Sequence, residues 1–169
     1  MGGGILPVAH HNNQWYFLFG RENDGKKWGD FGGSKEGTET FYQTAIREGY
    51  EELNGFYGSM SELRRKVTRN KVTQIEQIDD TGKYKTYIFK VDYDANLPTY
   101  YTNNFRFINN YSPEIVNNKP NGMYEKDMIK WFSLDELTKQ RRNFRGFYIP
   151  IVDKIVEIFN DVNNIKYKI

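Results

Sequence analysis

Residues 28–55 of the chain read WGDFGGSKEGTETFYQTAIREGYEELNG. A helix is predicted over residues 41–53, because Thr40 is a favoured N-cap residue and Gln43, three residues later, completes a capping box. Asn54-Gly55 ends the helix, since both residue types tolerate the left-handed conformation that follows a helix C-terminus. A Gly-Gly pair, a polar loop and a capped helix therefore follow one another in this stretch.

The predicted helix carries three glutamates on one face. Glu48, Glu51 and Glu52 stand at positions i, i+3 and i+4, which are neighbours on a helix surface. Three like charges repel one another, and a divalent cation relieves that repulsion. Mg2+ prefers carboxylate oxygens in octahedral geometry and keeps several of its waters. The cluster therefore indicates a magnesium site, although an isolated pattern of this kind is commonly a solvated helix face.

The spacing upstream of the helix makes the pattern specific. A Gly is followed by five residues and a Glu, then by seven residues and Arg-Glu, and then by two residues and Glu-Glu. The matching positions are Gly33, Glu39, Arg47, Glu48, Glu51 and Glu52. This arrangement resembles the Nudix box of the Nudix hydrolases, here over Gly33–Gly55.

The flanks of the box extend the resemblance over roughly residues 4–159. The agreeing residues are Trp28, Gly32, Lys35, Glu36 and the run Trp131-Phe132-Ser133-Leu134-Asp135-Glu136-Leu137. Three positions depart from the family's pattern: Phe31 replaces a common Pro, Gly49 an aliphatic residue and Asn54 a Gly. None of them is a carboxylate, so we expect altered packing rather than lost activity.

The resemblance implies an α+β fold, a Nudix-like α/β/α sandwich with a central mixed β-sheet, as one domain over residues 1–169. The remaining patterns agree with alternating strands and helices. Strands are predicted at 4–8, 15–19, 72–78, 84–91 and 128–132, and further helices after Ser59, after Ser133 and from Pro150. The polar residues His10 to Asn13 form a turn between the first two strands, and the histidines are interpreted as turn residues rather than catalytic ones.

The resemblance also implies an activity, which is attack of water on a phosphorus atom of a nucleotide-like pyrophosphate. Mg2+ is the expected cofactor, with Mn2+ as a possible substitute. Predicted metal ligands are Glu48, Glu51, Glu52 and the carbonyl of Gly32, and predicted catalytic residues are Glu48, Glu51 and Arg47. Glu51 is either a ligand or the general base. Glu39 and Gly33 are expected to support the site, with Glu39 paired to Arg47.

Substrate recognition is less defined by the sequence. Glu125, Arg21 and Phe105 are the candidate substrate-binding residues, and Glu125 is alternatively a base, a further ligand or an ordinary loop carboxylate. The aromatic and polar segment 100–107 either stacks a base or is an exposed strand and loop. Basic clusters at 64–71 and 139–145 are either solvated faces or contacts to an RNA backbone.

Three functions therefore remain open: a pyrophosphohydrolase of a small nucleotide, an mRNA decapping enzyme, and a catalytically silent binding module. The intact glutamates argue against the third.

The composition excludes several other classes. The 169 residues include no cysteine, which excludes disulfides, thiolate metal sites and Cys nucleophiles. The net charge of +2 neither requires nor excludes a nucleic-acid partner. No apolar run reaches the roughly 18 residues of a membrane span. We expect a cytoplasmic, intracellular protein without a membrane partner, and the resemblance leaves a homodimer open.

Overall fold

The computed structural model describes residues 1–80, 82–118 and 122–166, with side chains up to residue 161. Seven strands belong to one sheet: β1 (Gly2–His11), β2 (Gln14–Glu22), β3 (Trp28–Gly29), β4 (Phe31–Ser34), β5 (Lys71–Asp79), β6 (Gly82–Lys90) and β7 (Lys126–Ser133). Six α-helices accompany it: α1 (Phe41–Glu52), α2 (Met60–Arg69), α3 (Leu97–Tyr111), α4 (Pro113–Asn117), α5 (Leu134–Lys139) and α6 (Ile149–Lys166). Short 3-10 turns at Arg141–Asn143 and Gly146–Tyr148 join α5 to α6.

The sheet is mixed, as predicted. Its main path runs β3-β2-β1-β6-β5, with β4 paired to β1 and β7 paired to β2. β1 is central: its first half pairs antiparallel with β4, its second half pairs antiparallel with β2, and its other edge runs parallel to β6. The split pairing of β1 places the Gly-Gly segment of β4 in the sheet, directly before the loop to α1.

Two apolar cores cover the two faces of the sheet. Leu6 and Phe17 point to the core that helix α6 completes, whereas their chain neighbours Ile5 and Leu18 belong to the opposite core. That opposite core receives α1, α2 and Tyr101 of α3. Because strand side chains alternate between faces, both faces are apolar and both carry helices. The predicted α/β/α sandwich is confirmed.

Local start signals for helices are also confirmed. Thr40, Ser59 and Ser133 each accept a hydrogen bond from the third backbone N–H of the helix that follows, and each forms a full capping box. Asn54 and Gly55 both have positive φ, at 50° and 70°, directly after α1. Capping depends on residues three apart in the chain, which is why the sequence alone reveals it.

The interpretation of segment 100–107 as a strand and loop was wrong. It lies inside helix α3, which has a Pro in its first turn and buries Tyr101 and Phe105. These two rings are four residues apart and share one helix face, and Pro98 suits a helix start. The turn after β1 also differs from expectation. The strand continues through His11, and only Asn12 and Asn13 have positive φ.

Gly49 in the Nudix box has a packing reason. A Cβ on Gly49 would lie 2.3 Å from Cδ1 and 2.5 Å from Cγ1 of Ile5 on β1. The Ile5 side chain therefore occupies the space that the family's aliphatic residue would fill from the helix. No helix within the described residues is both long enough and apolar enough to cross a membrane.

Candidate active site

Strand β4 and helix α1 are in close contact at the Gly-Gly pair. A Cβ on Gly33 would lie 2.4 Å from Oε1 of Glu48, and a Cβ on Gly32 would lie 2.4 Å from Cα of Gly4 on β1. A side chain at position 32 would push β4 away from β1. The close approach of the β1 backbone therefore requires glycine at position 32, whereas a side chain at position 33 would displace the Glu48 carboxylate.

Arg47 is the centre of the ion pairs around the loop. Its guanidinium donates two hydrogen bonds to Glu39, with Nε–Oε1 and Nη2–Oε2 distances of 2.8 and 3.1 Å. A further bond of 3.1 Å goes to the Ser34 carbonyl. The hydrogen bonds from Arg47 lower the pKa of Glu39 to about 2. The predicted pairing of Arg47 with Glu39 is present, and it ties the loop to α1.

The same guanidinium also faces two of the predicted metal ligands. Arg47 Nη1 lies 3.0 Å from Glu48 Oε1 and 3.2 Å from Glu51 Oε2. It therefore holds both carboxylates on one side of the helix while leaving their remaining oxygen atoms for other contacts.

Glu125 joins Glu48 and Glu51 to form what we call the acidic cluster. Burial raises the pKa of Glu48 to about 6; Glu51 and Glu125 add to this rise, and Arg47 opposes it. Burial likewise raises the pKa of Glu51, and Glu125 again contributes. Gly122 closes the cluster from the late loop, because a Cβ there would lie 2.5 Å from Oε2 of Glu51. Glu125, although distant in the sequence, therefore lies near enough to Glu48 and Glu51 for its charge to affect both.

Glu52 has a different environment from the other two glutamates of the helix. It is only 2 % exposed. Its Oε2 accepts a 2.7 Å hydrogen bond from the backbone N–H of Gly32, and its Oε1 lies 3.0 Å from Nζ of Lys126. Burial raises the pKa of the Glu52 carboxyl, while the Lys126 charge opposes that rise. Both oxygen atoms of Glu52 therefore have partners within the fold.

Lys126 belongs to a chain of alternating charges. Its side chain is 0 % exposed and contacts Glu52 on one side and Glu22 of β2 on the other. Burial lowers the pKa of Lys126, but the two facing carboxylates outweigh this effect and raise it overall. Oε1 of Glu22 also accepts a 2.9 Å hydrogen bond from Nη1 of Arg145. We call Arg145, Glu22, Lys126 and Glu52 the ion chain.

The acidic cluster fits a hard divalent cation. Burial is the main cause of the raised pKa values of Glu48 and Glu51, and the neighbouring carboxylates add to the rise. Oxygen donors of this kind suit Mg2+ or Mn2+. Within the described residues no three carboxylate or imidazole groups already surround one point, so an ion would require rotation of these side chains. Glu52 would have to share its oxygen atoms with Lys126 and Gly32.

Two predicted substrate-binding residues have other partners. Arg21 makes a two-pronged ion pair with Asp127, at 2.9 and 3.0 Å. Phe105 is 8 % exposed on the inner side of α3. A substrate contact by either residue would require its release from these surroundings.

The basic cluster at 139–145 is largely neutralised by ion pairs. Arg141 binds Asp153 through two 2.6 Å hydrogen bonds, Lys139 pairs with Asp135 at 2.7 Å, and Arg145 belongs to the ion chain. A phosphate backbone would have to compete with these carboxylates for the same donors.

Sequence reasoning missed Lys126 and a buried group around Asp30. Tyr84 and Thr86 each donate a hydrogen bond of 2.8 Å to the Asp30 carboxylate. Burial raises the pKa of Asp30 to about 6 against these hydrogen bonds. The available signal was a charged residue inside an otherwise apolar strand pattern, because such a residue needs a partner when it is buried.

Comparison with known proteins places the fold. No family model matches the chain, and no curated protein sequence matches it. Solved structures do: an Ap4A hydrolase from C. elegans is 14% identical with a TM-score of 0.58, over 95% of this chain and 99% of that one. The Nudix hydrolase RenU from M. smegmatis is 12% identical with a TM-score of 0.56, over 96% and 87%.

A third similar structure is a bifunctional NMN adenylyltransferase/ADP ribose pyrophosphatase from Francisella tularensis, complexed with AMP and a Mn ion. It is 14% identical with a TM-score of 0.59, and the match covers 92% of this chain but 40% of that larger one. These similarities, together with the spacing of the box residues, show that this chain has the Nudix hydrolase fold.

Proposed function

We propose that this protein is a metal-dependent Nudix pyrophosphohydrolase, which cleaves a phosphoanhydride bond in a nucleoside polyphosphate or a nucleoside-diphosphate-linked compound. The observation that carries the proposal is the acidic cluster. Glu48 and Glu51 lie beside Arg47. Glu48 also lies against the close-packed Gly33, and the charge of Glu125 acts on both glutamates. Grouped carboxylates of this kind are the ligands that a hard divalent cation prefers.

The residues of the site have three roles: they bind the metal ion, position its ligands and accept a proton. Glu48, Glu51 and Glu125 would hold the ion, with the Gly32 carbonyl and Glu52 as further ligands. A bound Mg2+ would offset phosphate charge and acidify a coordinated water. Arg47 positions Glu48 and Glu51 through its hydrogen bonds, and Glu39 in turn fixes Arg47. Accepting the proton of the attacking water falls to Glu51 or Glu125, which are both carboxylates of the cluster.

The substrate class rests on the similar structures and on charge. One of them is an Ap4A hydrolase and another includes an ADP ribose pyrophosphatase, so a nucleotide with linked phosphates is the first class to test. The RNA decapping alternative has weaker support, because one of its two basic clusters, at 139–145, is already paired with carboxylates. We do not adopt the silent binding module, since every carboxylate of the box is present.

The test is hydrolysis of a substrate panel with Mg2+, with Mn2+ and with EDTA. The panel holds nucleoside triphosphates, dinucleoside polyphosphates, ADP-ribose and capped RNA. Glu48→Gln and Glu52→Gln are expected to lower turnover by orders of magnitude. Circular dichroism checks that both variants still fold, because Glu52→Gln also removes one counter-charge of the buried Lys126. Glu157→Gln is the matched control, because Glu157 is exposed on α6 at the opposite face of the sheet; it should leave turnover unchanged.

Two results would contradict the proposal. One is activity that persists in EDTA, and the other is full activity of both site variants. Cleavage of capped RNA alone would replace the small-nucleotide proposal with the decapping one.

A further inference from the structure

Asn54 departs from the Nudix-box pattern, which has Gly at this position. It lies at the end of helix α1 with a φ of 50°, a left-handed conformation that Gly adopts at no steric cost. The backbone at the helix end therefore gives no reason for Asn rather than Gly. The side chain of Asn54 instead makes a contact that Gly could not make.

The Asn54 side chain binds a loop that is distant in the sequence. Its Oδ1 accepts a 3.0 Å hydrogen bond from the backbone N–H of Tyr124, which is 70 residues further along the chain. Tyr124 belongs to the late loop, residues 122–125, which leads into β7. Tyr124 itself has a φ of 61°, which is uncommon for a residue other than Gly. The hydrogen bond therefore joins two left-handed residues, one at the end of α1 and one in the late loop.

The residue that follows Tyr124 is Glu125, the member of the acidic cluster that helix α1 does not provide. The charge of Glu125 acts on both Glu48 and Glu51. Glu125 is nevertheless exposed, and Tyr124 is only partly buried, so apolar packing does little to fix this part of the chain. The position of the Glu125 carboxylate therefore depends on how the backbone of the late loop is held.

Two further contacts hold the same stretch of backbone. The N–H of Asn23 donates a 2.8 Å hydrogen bond to the Glu125 carbonyl, and the Tyr101 hydroxyl lies 3.3 Å from the Lys126 carbonyl. Asn54 adds a direct link from the late loop to the end of α1. The backbone around Glu125 is thus attached to α1, α3 and the segment that follows β2.

We propose that Asn54 is a positioning residue of the active site, which holds the late loop against the end of α1 so that Glu125 lies at the acidic cluster. The inference rests on the proposed function, in which Glu125 would hold the metal ion. A ligand that is fixed before the ion arrives binds it at a lower entropic cost. Loss of the Asn54–Tyr124 hydrogen bond leaves Glu125 chemically intact but less well placed, so the affinity for the ion should fall.

The hydrogen bond itself is tested by exchange of the Tyr124 amide proton, followed by NMR. Asn54→Gly removes the acceptor and supplies the residue type that the left-handed conformation favours, so this variant should fold. We expect the Tyr124 amide to exchange about 2- to 10-fold faster, the range for loss of one hydrogen bond. Asn54→Asp keeps the acceptor oxygen and should restore slow exchange. Unchanged exchange in Asn54→Gly would overturn the inference.

The effect on the site is tested by the affinity for Mn2+, measured by EPR of the free ion with no substrate present. Asn54→Gly should weaken binding by about 10-fold, the lower end of the range for a residue that orients a metal ligand, because Asn23 and Tyr101 still hold the backbone. Glu125→Gln should also weaken binding. In the Glu125→Gln background, Asn54→Gly should then change the affinity by less than about 2-fold, because a residue that acts through Glu125 has no further effect once Glu125 is lost.

The matched control is Asn13→Gly. Asn13 is also a left-handed Asn, with a φ of 58°, but it lies in the exposed turn between β1 and β2. The variant makes the same chemical change away from the late loop. It should leave both the exchange of the Tyr124 amide and the affinity for Mn2+ as in the wild type.

The outcomes separate this inference from the proposed function. If Glu125→Gln weakens Mn2+ binding and Asn54→Gly does not, the positioning role is rejected while the proposed function stands. An equal loss from Asn54→Gly in both backgrounds rejects the role as well, since Asn54 would not act through Glu125. Unchanged Mn2+ binding by Glu125→Gln rejects the role together with Glu125 as a ligand. The expected pattern in a protein that hydrolyses no member of the substrate panel supports the role and rejects the proposed activity.

Discussion

Replacement of Lys126 by Met removes the one fully buried ammonium of the ion chain and keeps an apolar stem of similar length. Lys126 contacts two carboxylates, at Glu52 and Glu22, with a side chain that is 0 % exposed. Loss of the ammonium leaves the buried Glu52 and the partly buried Glu22 without this partner, which is the costly situation for a buried ion pair.

The size of the effect follows from the partners that remain. Breaking a buried pair costs about 3–5 kcal/mol. Glu52 keeps the 2.7 Å hydrogen bond from Gly32, and Glu22 keeps the 2.9 Å contact with Arg145. We therefore expect the lower end of that range, about 3 kcal/mol, and a fall in Tm of roughly 6–12 °C for a chain of this size.

The assay is urea unfolding at pH 7.5, followed by tryptophan fluorescence and far-UV circular dichroism. Glu52→Gln in the Lys126→Met background should recover about 1–2 kcal/mol, because a neutral amide needs no counter-charge and its oxygen still accepts from Gly32. Lys130→Met on the same strand is the matched control. Lys130 is 37 % exposed and pairs with Glu136 at 2.8 Å, so its loss should cost no more than about 1 kcal/mol.

Two results would refute this reasoning. The first is a Lys126→Met variant within about 1 kcal/mol of wild type, which would mean that the ammonium adds little to the buried carboxylates. The second is a double variant less stable than Lys126→Met alone, since that would show that the Glu52 charge is not the source of the cost.

Three other expectations follow from single contacts. The hydrogen bonds from Arg47 lower the pKa of Glu39 from 4.5 to about 2, so this pair stabilises the fold above pH about 4.5 and loses its contribution as the pH falls toward about 2. The difference in unfolding free energy between wild type and Glu39→Gln should therefore shrink over that range, and a constant difference would contradict this expectation. Gly49→Ala should destabilise the wild type by about 1 kcal/mol, because the new Cβ would lie 2.3 Å from Cδ1 of Ile5 and this overpacking outweighs the gain in helix propensity. In an Ile5→Ala background the same change should stabilise the protein in urea unfolding, and a change of the same sign in both backgrounds would exclude this packing account. Thr40→Ala should cost about 1 kcal/mol through loss of the α1 cap, whereas an unchanged Tm would mean that the cap is dispensable.

The sequence by itself determined the features that depend on near neighbours in the chain. Helix α1, its capping box and its left-handed end at Asn54-Gly55 were predictable, because each involves residues within a few positions of one another. The spacing of the box glutamates was equally local. So was the face that Glu48 and Glu51 share, since residues three apart are neighbours on a helix surface.

Only the tertiary structure decided which distant groups meet. The sequence places Glu52 beside Glu51, but the fold turns it inward to Lys126. Gly49 looks like a defect until Ile5 of β1 fills its space, and the aromatic segment 100–107 became a helix because it buries Tyr101 and Phe105 together. Such contacts depend on how strands align and how helices lie across them. Sheet register is set by burial over the whole domain, and no stretch of neighbouring residues contains that information.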